Sequence, residues 1–326
     1  MKISRRALLG TAAACYSTAH MPLAWAQAPW PVRPVRLISP YGAGGASDTS
    51  LRVLSEHLGS SLGQQFIVEN KAGAGTRLAN EYVARTEGDG YTVLYAAAPY
   101  ATAEALHGKL NFDPKKDLLP VAMVALAPLF LIVNADANIK TAADFVAYAK
   151  SRPDGVNFGS PGAGSQPHLA AELLLRDAGV KGIIIHYRGD APAYTELLAG
   201  RIDATLTAIT AALPHIQSGK LRVLGVASAE RSPLFPDAPT LKEQGLESVV
   251  ASGWYGFMVP AATPAAVRER LDAETNRILG TPEVRQKFLS LGLEPRPGTA
   301  AAFGQFIDSE TVKWSELIRT AGIKAG

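Results

Sequence analysis

Apolar and polar residues change rhythm repeatedly along this chain. In "PVRLIS", Val35, Leu37 and Ile38 surround Arg36 at strand-like spacing, and Leu51, Leu54 and Leu58 then recur along one face of a helix. Further strand-like segments follow in order: "QQFIVEN", the stretch from Tyr91 after a turn at Gly90, "LFLIVN", "VNFGS", "GIIIHYRG", "IDATLTA", "LRVLGVAS" and "WYGFMVP". Helical patterns stand between them, over residues 78–84, in "TAADFVAYAK" and around Leu197. Two charge-rich helices, around Leu271 and Trp314, close the chain. This alternation predicts an α/β fold of parallel sheets covered by helices.

Two of the strand-to-helix junctions share one plan. "ISPYGAGGASDTSLRVL" passes from strand through a glycine-rich loop to helix, with Ser47 and Asp48 where a helix start needs an oxygen acceptor and a negative charge. "VNFGSPGAGSQPHLAAELLL" repeats the plan about 120 residues later. Ser165 stands as its cap, and Pro167 falls in the first turn, where a missing N–H costs nothing. Loops of this kind can face each other from two domains and close on one ligand. Two readings of their glycines stay open. A tight turn needs positive φ whatever it binds, and a helix start aims free N–H groups at an anion. Neither loop is a nucleotide motif, since no lysine follows the glycines and Gly42, Gly44 and Gly45 do not form GxGxxG.

Composition narrows the picture. Residues 1–26 carry Lys2, Arg5 and Arg6, a short apolar run and "AWA" at Ala24–Ala26, the layout of a cleaved export signal. "SRRALL" further fits a twin-arginine signal, and a plain secretory signal is the alternative. Without that segment's three basic residues, the 32 fall to 29, equal to the 29 acidic ones. A neutral mature chain gives no reason to expect nucleic acid or membrane binding. The one cysteine, Cys15, leaves with the signal, which excludes disulfides, thiolate metal sites and cysteine nucleophiles. The remaining 300 residues suffice for two domains.

Taken in order, "PVRPVRLISPYGAGGASD", "VENKAGAGT", "DGYTVLYA", "NFGSPGAGSQPHLAAELL", "YRGDAPAYTELLAGRID", "LPHIQSGKLRVLGVAS", "PDAPTLKEQGL" and "TPAAVRERLDAETNRIL" resemble the Bug-type extracytoplasmic solute receptors. These are the binding components of tripartite tricarboxylate transporters, and the similarity covers essentially all of the chain after the signal. The resemblance implies a two-lobed Venus flytrap of the type II periplasmic binding proteins, with two hinge crossovers. It implies an exported, monomeric receptor that takes a small carboxylate to membrane permease subunits and needs no cofactor or metal. With "WYGFMVP" read as a strand returning to the first sheet, residues 27–127 plus 254–326 are expected to form lobe one and residues 128–253 lobe two.

The resemblance also implies that the carboxylate lies between the two glycine loops, held by backbone N–H groups and hydroxyls. Carried over by motif, the ligand-binding positions are Tyr41, Ala43, Gly44, Gly45 and Ser47 in the first loop and Ser160, Ala163, Gly164 and Ser165 in the second. Asp190 and Thr207 complete the wall. Tyr100 and Tyr187 either line the cleft with Tyr41 or serve as packing. Asp48 is expected to turn inward and cap its own helix, and His168 to stand behind the second loop. One departure bears on the ligand. Family members that bind amino acids resemble "VDVMFD" where this chain has "IDATLT", so Thr207 replaces an aspartate able to meet an ammonium. A hydroxyl cannot neutralise a buried cation, which favours an acid without an amino group.

Rival classes remain. His168 and Glu172 have an i, i+4 spacing that can bind metal, but no second histidine lies close by, and a helix-surface pair explains them as well. No G-x-S-x-G elbow exists for a hydrolase. The same fold could also serve as a sensor that presents a ligand-dependent surface to a signalling partner.

Overall fold

A computed structural model describes residues 30–324 of the chain. The expected export signal, with Cys15, lies outside the described residues. The chain runs through β1 (Val35–Ser39), α1 (Ala46–Leu62), β2 (Phe66–Asn70), α2 (Arg77–Ala84), β3 (Thr92–Ala97), α3 (Pro99–His107) and the long β4 (Leu118–Asn134). It continues through α4 (Ala142–Ser151), β5 (Val156–Ser160), α5 (Gln166–Ala178), β6 (Gly182–His186), α6 (Asp190–Leu198), β7 (Ala204–Ala208), α7 (Leu213–Gln217) and β8 (Leu221–Val226). β9 (Ser252–Pro260) then precedes α8 (Ala265–Leu279), α9 (Pro282–Ser290), the two-residue β10 (Glu294–Pro295) and α10 (Ala300–Ala321).

β4 is 17 residues long, roughly 56 Å at about 3.3 Å per residue, well beyond an ordinary strand. Its first part, to Pro128, pairs with β9, and its remainder, from Leu129, pairs with β7 and β8. Two sheets are thereby joined through one strand. The first has the order β2-β1-β3-β9-β4, with β10 also on β4, and the second places β4 between β8 and β7, followed by β5 and β6. The chain leaves the first sheet inside β4 and returns at the start of β9. The sheets are mixed, not parallel as the alternation predicts. β1 is parallel to β2 and β3, and β5 to β6 and β7, but β9, β4, β8 and β10 make antiparallel pairs. Strands that carry the chain out of a sheet and back into it must oppose each other.

Both faces of each sheet are covered, so successive residues of one strand enter different cores. Val35 and Leu37 pack with Leu51, Leu54 and Leu58 of α1, while Ile38 faces the opposite core with Leu94 and Ala96. In β4, Leu129, Leu131 and Val133 enter one core, and Phe130 and Ile132 the other. This is why the strands read as unbroken apolar runs. The three α1 leucines are fully buried, a gain of roughly 2 kcal/mol each. α10 ties the two sheets together: Phe303 and Ile307 belong to a core of the first, and Trp314, Leu317 and Ile318 to a core of the second. The expected two closing helices are three, α8, α9 and α10, and α3 is a further helix the polar–apolar pattern does not show.

Candidate functional site

The carboxyl ends of β1 and β5 open into the two glycine loops, the place where ligands gather in open α/β sheets. In the first loop, residues 42–46 are exposed and the N-cap of α1 is Gly45. Glycine brings no capping side chain, and the first helical bond runs from the Thr49 N–H to the Gly45 carbonyl. The N–H groups of Ala46, Ser47 and Asp48 therefore lack a helical acceptor, at the positive end of a 17-residue dipole. Ser47 does not cap, contrary to the sequence reading: it lies inside the first turn, buried, with its hydroxyl oxygen unpartnered. Asp48 is buried and turns inward as expected, but it does not cap its own helix: it accepts from the Gly44 N–H at 3.1 Å, ahead of the helix, from Asn70 at 2.9 Å and from Nε and Nη2 of Arg52. The Arg52 guanidinium, with Asn70 and Gly44, holds its carboxyl down at about 2. Its charge is thus matched within the protein.

The second loop uses the same device with different atoms. Gly164 donates its N–H to His168 Nδ1 at 2.8 Å, as Gly44 does to Asp48, again across four residues. Ser165 caps α5 as expected, accepting from the His168 N–H at 3.3 Å and donating to the Gly162 carbonyl at 2.7 Å. Ser160 Oγ lies 3.3 Å from Ser165 Oγ. With one donor taken by Ser165 and another absent at Pro167, α5 offers fewer free N–H groups than α1. The anion-binding potential is therefore concentrated in the first loop. Ala163 is exposed on the second loop and Ala43 on the first.

Only some of these glycines are required by the backbone. Gly44 and Gly164 have φ of 92° and 71°, the left-handed region. Gly45 has φ −81° and ψ 173°, which any residue adopts, and a Cβ there or at Gly42 would meet nothing within 4 Å. The turn alone does not explain Gly45.

Asp190 and Thr207 meet. The Thr207 hydroxyl donates to Asp190 Oδ1 at 2.6 Å, and burial raises the Asp190 carboxyl above its ordinary value. Both stand beside the second loop, because the N–H groups of Tyr187 and Gly189 bond the carbonyls of Ser160 and Pro161. Tyr187 packs against a core of the second sheet. Tyr100 is not brought to the loops: its hydroxyl donates to the Pro114 carbonyl at 2.6 Å, its ring packs near Phe112, and it borders a groove of about 440 Å³ between α3 and α10. A larger groove, about 900 Å³, runs along α1 and β2 and is also remote from the second loop. His168 Nε2 stands 3.7 Å from Glu172, a loose pair, and no metal-holding cluster occurs among the described residues.

Three features escape the sequence reading. The loop after β2 lies beside the first one, through the Lys71 N–H to the Ser39 carbonyl and the Asn70 amide to the Tyr41 carbonyl. There Gly73, Ala74, Gly75 and Thr76 all have positive φ, with Thr76, β-branched and buried, at 75°. Tyr255 stacks on Tyr95 with centroids 5.2 Å apart, and burial beside Tyr255 pushes the Tyr41 hydroxyl up. Finally, Leu106 of α3 approaches Gly164, where an added Cβ would come within 3.0 Å of it. "KAGAGT" offered the first signal; the other two are long-range pairings.

The two α/β sheets, joined through β4 and each carrying a glycine loop at the end of a strand, define the two-lobed fold of type II periplasmic binding proteins. Solved structures share it. Rpa4515 from R. palustris with adipate has 30% identity and TM-score 0.77, covering 91% of this chain and 100% of that one. The periplasmic binding protein BugD has 30% identity and TM-score 0.74 (91% and 100%), and MatC from Rhodopseudomonas palustris with bound malate has 31% and 0.72 (89% and 100%). Residues 50–323 match the tripartite tricarboxylate transporter family receptor, and the chain belongs to that family of substrate-binding receptors. Protein BugT of Bordetella pertussis is 35% identical over 297 residues, 90% of this chain and 91% of that protein. A Cupriavidus necator relative, described by its place in the gbd 5' region, is 36% identical over 319 residues (96% and 94%).

Proposed function

We propose that this protein is a periplasmic receptor, exported through residues 1–26, that holds a small mono- or dicarboxylate without an amino group between residues 41–48 and 160–165. It then delivers that ligand, as a monomer and unchanged, to the permease subunits of a tripartite transporter. The uncapped start of α1 carries this reading, since free N–H groups and a helix dipole meet there in an exposed loop. Gly45 supports it, leaving room that the turn does not need. Adipate and malate, named with two structural relatives, are carboxylates without an amino group. Residues 27–127 with 254–326 act as one lobe and 128–253 as the other, with the end of α10 riding on the second.

A thermal-shift screen of small carboxylates tests this. A true ligand at about 100 times its Kd stabilises the fold by roughly 2.7 kcal/mol, and mass spectrometry should recover it unaltered. In calorimetry, succinate should bind at least about tenfold tighter than aspartate, roughly 1.4 kcal/mol. Chemical conversion of the ligand would overturn the receptor reading, and tighter aspartate binding would overturn the ligand class.

A further inference from the structure

Asp190 is the first residue of α6, on the sheet edge that carries the second loop. Its Oδ1 accepts from Thr207, and among the described residues its Oδ2 takes no hydrogen bond and no cation pairs with it. No cationic side chain of the surrounding elements compensates it, and the positive pole nearest to it is the start of its own short helix, α6, nine residues against the 17 of α1. β5, β7 and the part of β4 beside β7 contain no charged residue. On α6, Tyr194 gives its hydroxyl to the Ala208 carbonyl at 2.8 Å, and Glu196 pairs with Arg201. Arg188, two residues earlier, is exposed, and His186 packs edge-on against His168.

An ionised, desolvated carboxylate without a cation repels a second carboxylate, whereas a protonated one donates to it. We propose that Asp190 receives the far carboxylate of a bound dicarboxylate as a protonated acid, fixed by Thr207, so that capture takes up one proton. The inference rests on the carboxylate-receptor reading. The near carboxylate occupies the free N–H groups of α1. The proton comes from solvent and lies between the two carboxyl groups, and no other bond forms or breaks. Uptake on binding means that affinity falls as pH rises, approaching about tenfold per pH unit where free Asp190 is ionised.

The probes are adipate, succinate and malate. Calorimetry of the tightest binder, in buffers of different ionisation enthalpy, should return uptake approaching one proton near neutral pH. Asp190→Asn keeps an N–H donor without needing a proton, so its affinity should be flat with pH and exceed wild type at pH 8. Asp190→Ala, lacking a donor, should bind more weakly than Asp190→Asn. Zero proton uptake by wild type overturns the proposal, as does an asparagine variant no better than the alanine one. If monocarboxylates bind and no dicarboxylate does, the Asp190 inference fails and the receptor reading stands. If no carboxylate binds, both fail.

Discussion

Gly44 and Gly45 are neighbours with different reasons to be glycine. Gly44 is held at positive φ, while Gly45 is extended and surrounded by open space. Gly45→Val should therefore fold, losing no more than the roughly 1 kcal/mol of a poorer helix N-cap because its backbone angles suit any residue, and reduce carboxylate binding beyond detection by calorimetry. Unchanged affinity would place the ligand elsewhere. Asp48 is the opposite case, a residue committed to the loop's own integrity. Its folded carboxyl sits at about 2 against an ordinary 3.8, so its contribution is present above about pH 4 and is lost as pH falls toward 2. Asp48→Asn should cost about 2 kcal/mol in urea unfolding at pH 7, and the difference from wild type should shrink at pH 3. An equal loss at both pH values would show that geometry, not ionisation, sets the effect.

α10 depends on one missing side chain in β9. A Cβ on Gly256 would lie 2.2 Å from the Phe303 ring, which packs in a T shape with Trp254, centroids 5.6 Å apart. Gly256→Ala should cost about 1–3 kcal/mol by overpacking. Adding Phe303→Leu should recover part of it, making the double variant cheaper than the sum of the singles. Strict additivity in denaturant titrations would refute the contact. The elements that the sequence pattern hides have local causes. In α3, Tyr100, Ala101, Thr102 and Ala103 are buried consecutively, leaving no helical period to read. α9 buries only Val284 and Phe288, and Pro120 and Pro128 in β4 read as breaks although the register shifts after Pro120 absorb the first.

Closure of the two sheets on a ligand is expected to be limited in extent, because the second loop already touches α3 at Leu106 and α10 packs into cores of both. Small-angle scattering should show a smaller radius of gyration on saturation with a carboxylate found by the thermal screen. An unchanged radius at saturation would count against lobes that move.

Alternating strands and helices, the two loops and the cap at Ser165 were legible in the residues, as was the order of motifs that marks the family. Each depends on backbone preference, side-chain size or spacing within about twenty residues. The signal over residues 1–26 rests on the same kind of local pattern. The partner of each polar side chain was not legible. Asp190 turns to Thr207 because β5 is parallel to both β6 and β7, and Tyr100 turns away because Pro114 offers it a carbonyl. Gly45, not Ser47, became the N-cap because Asp48 already holds the loop through Gly44, Asn70 and Arg52. Local chemistry chose the elements, but which way a buried polar group faces is settled by partners distant in the chain, since an unpaired group in the interior costs more than the turn that brings it to one.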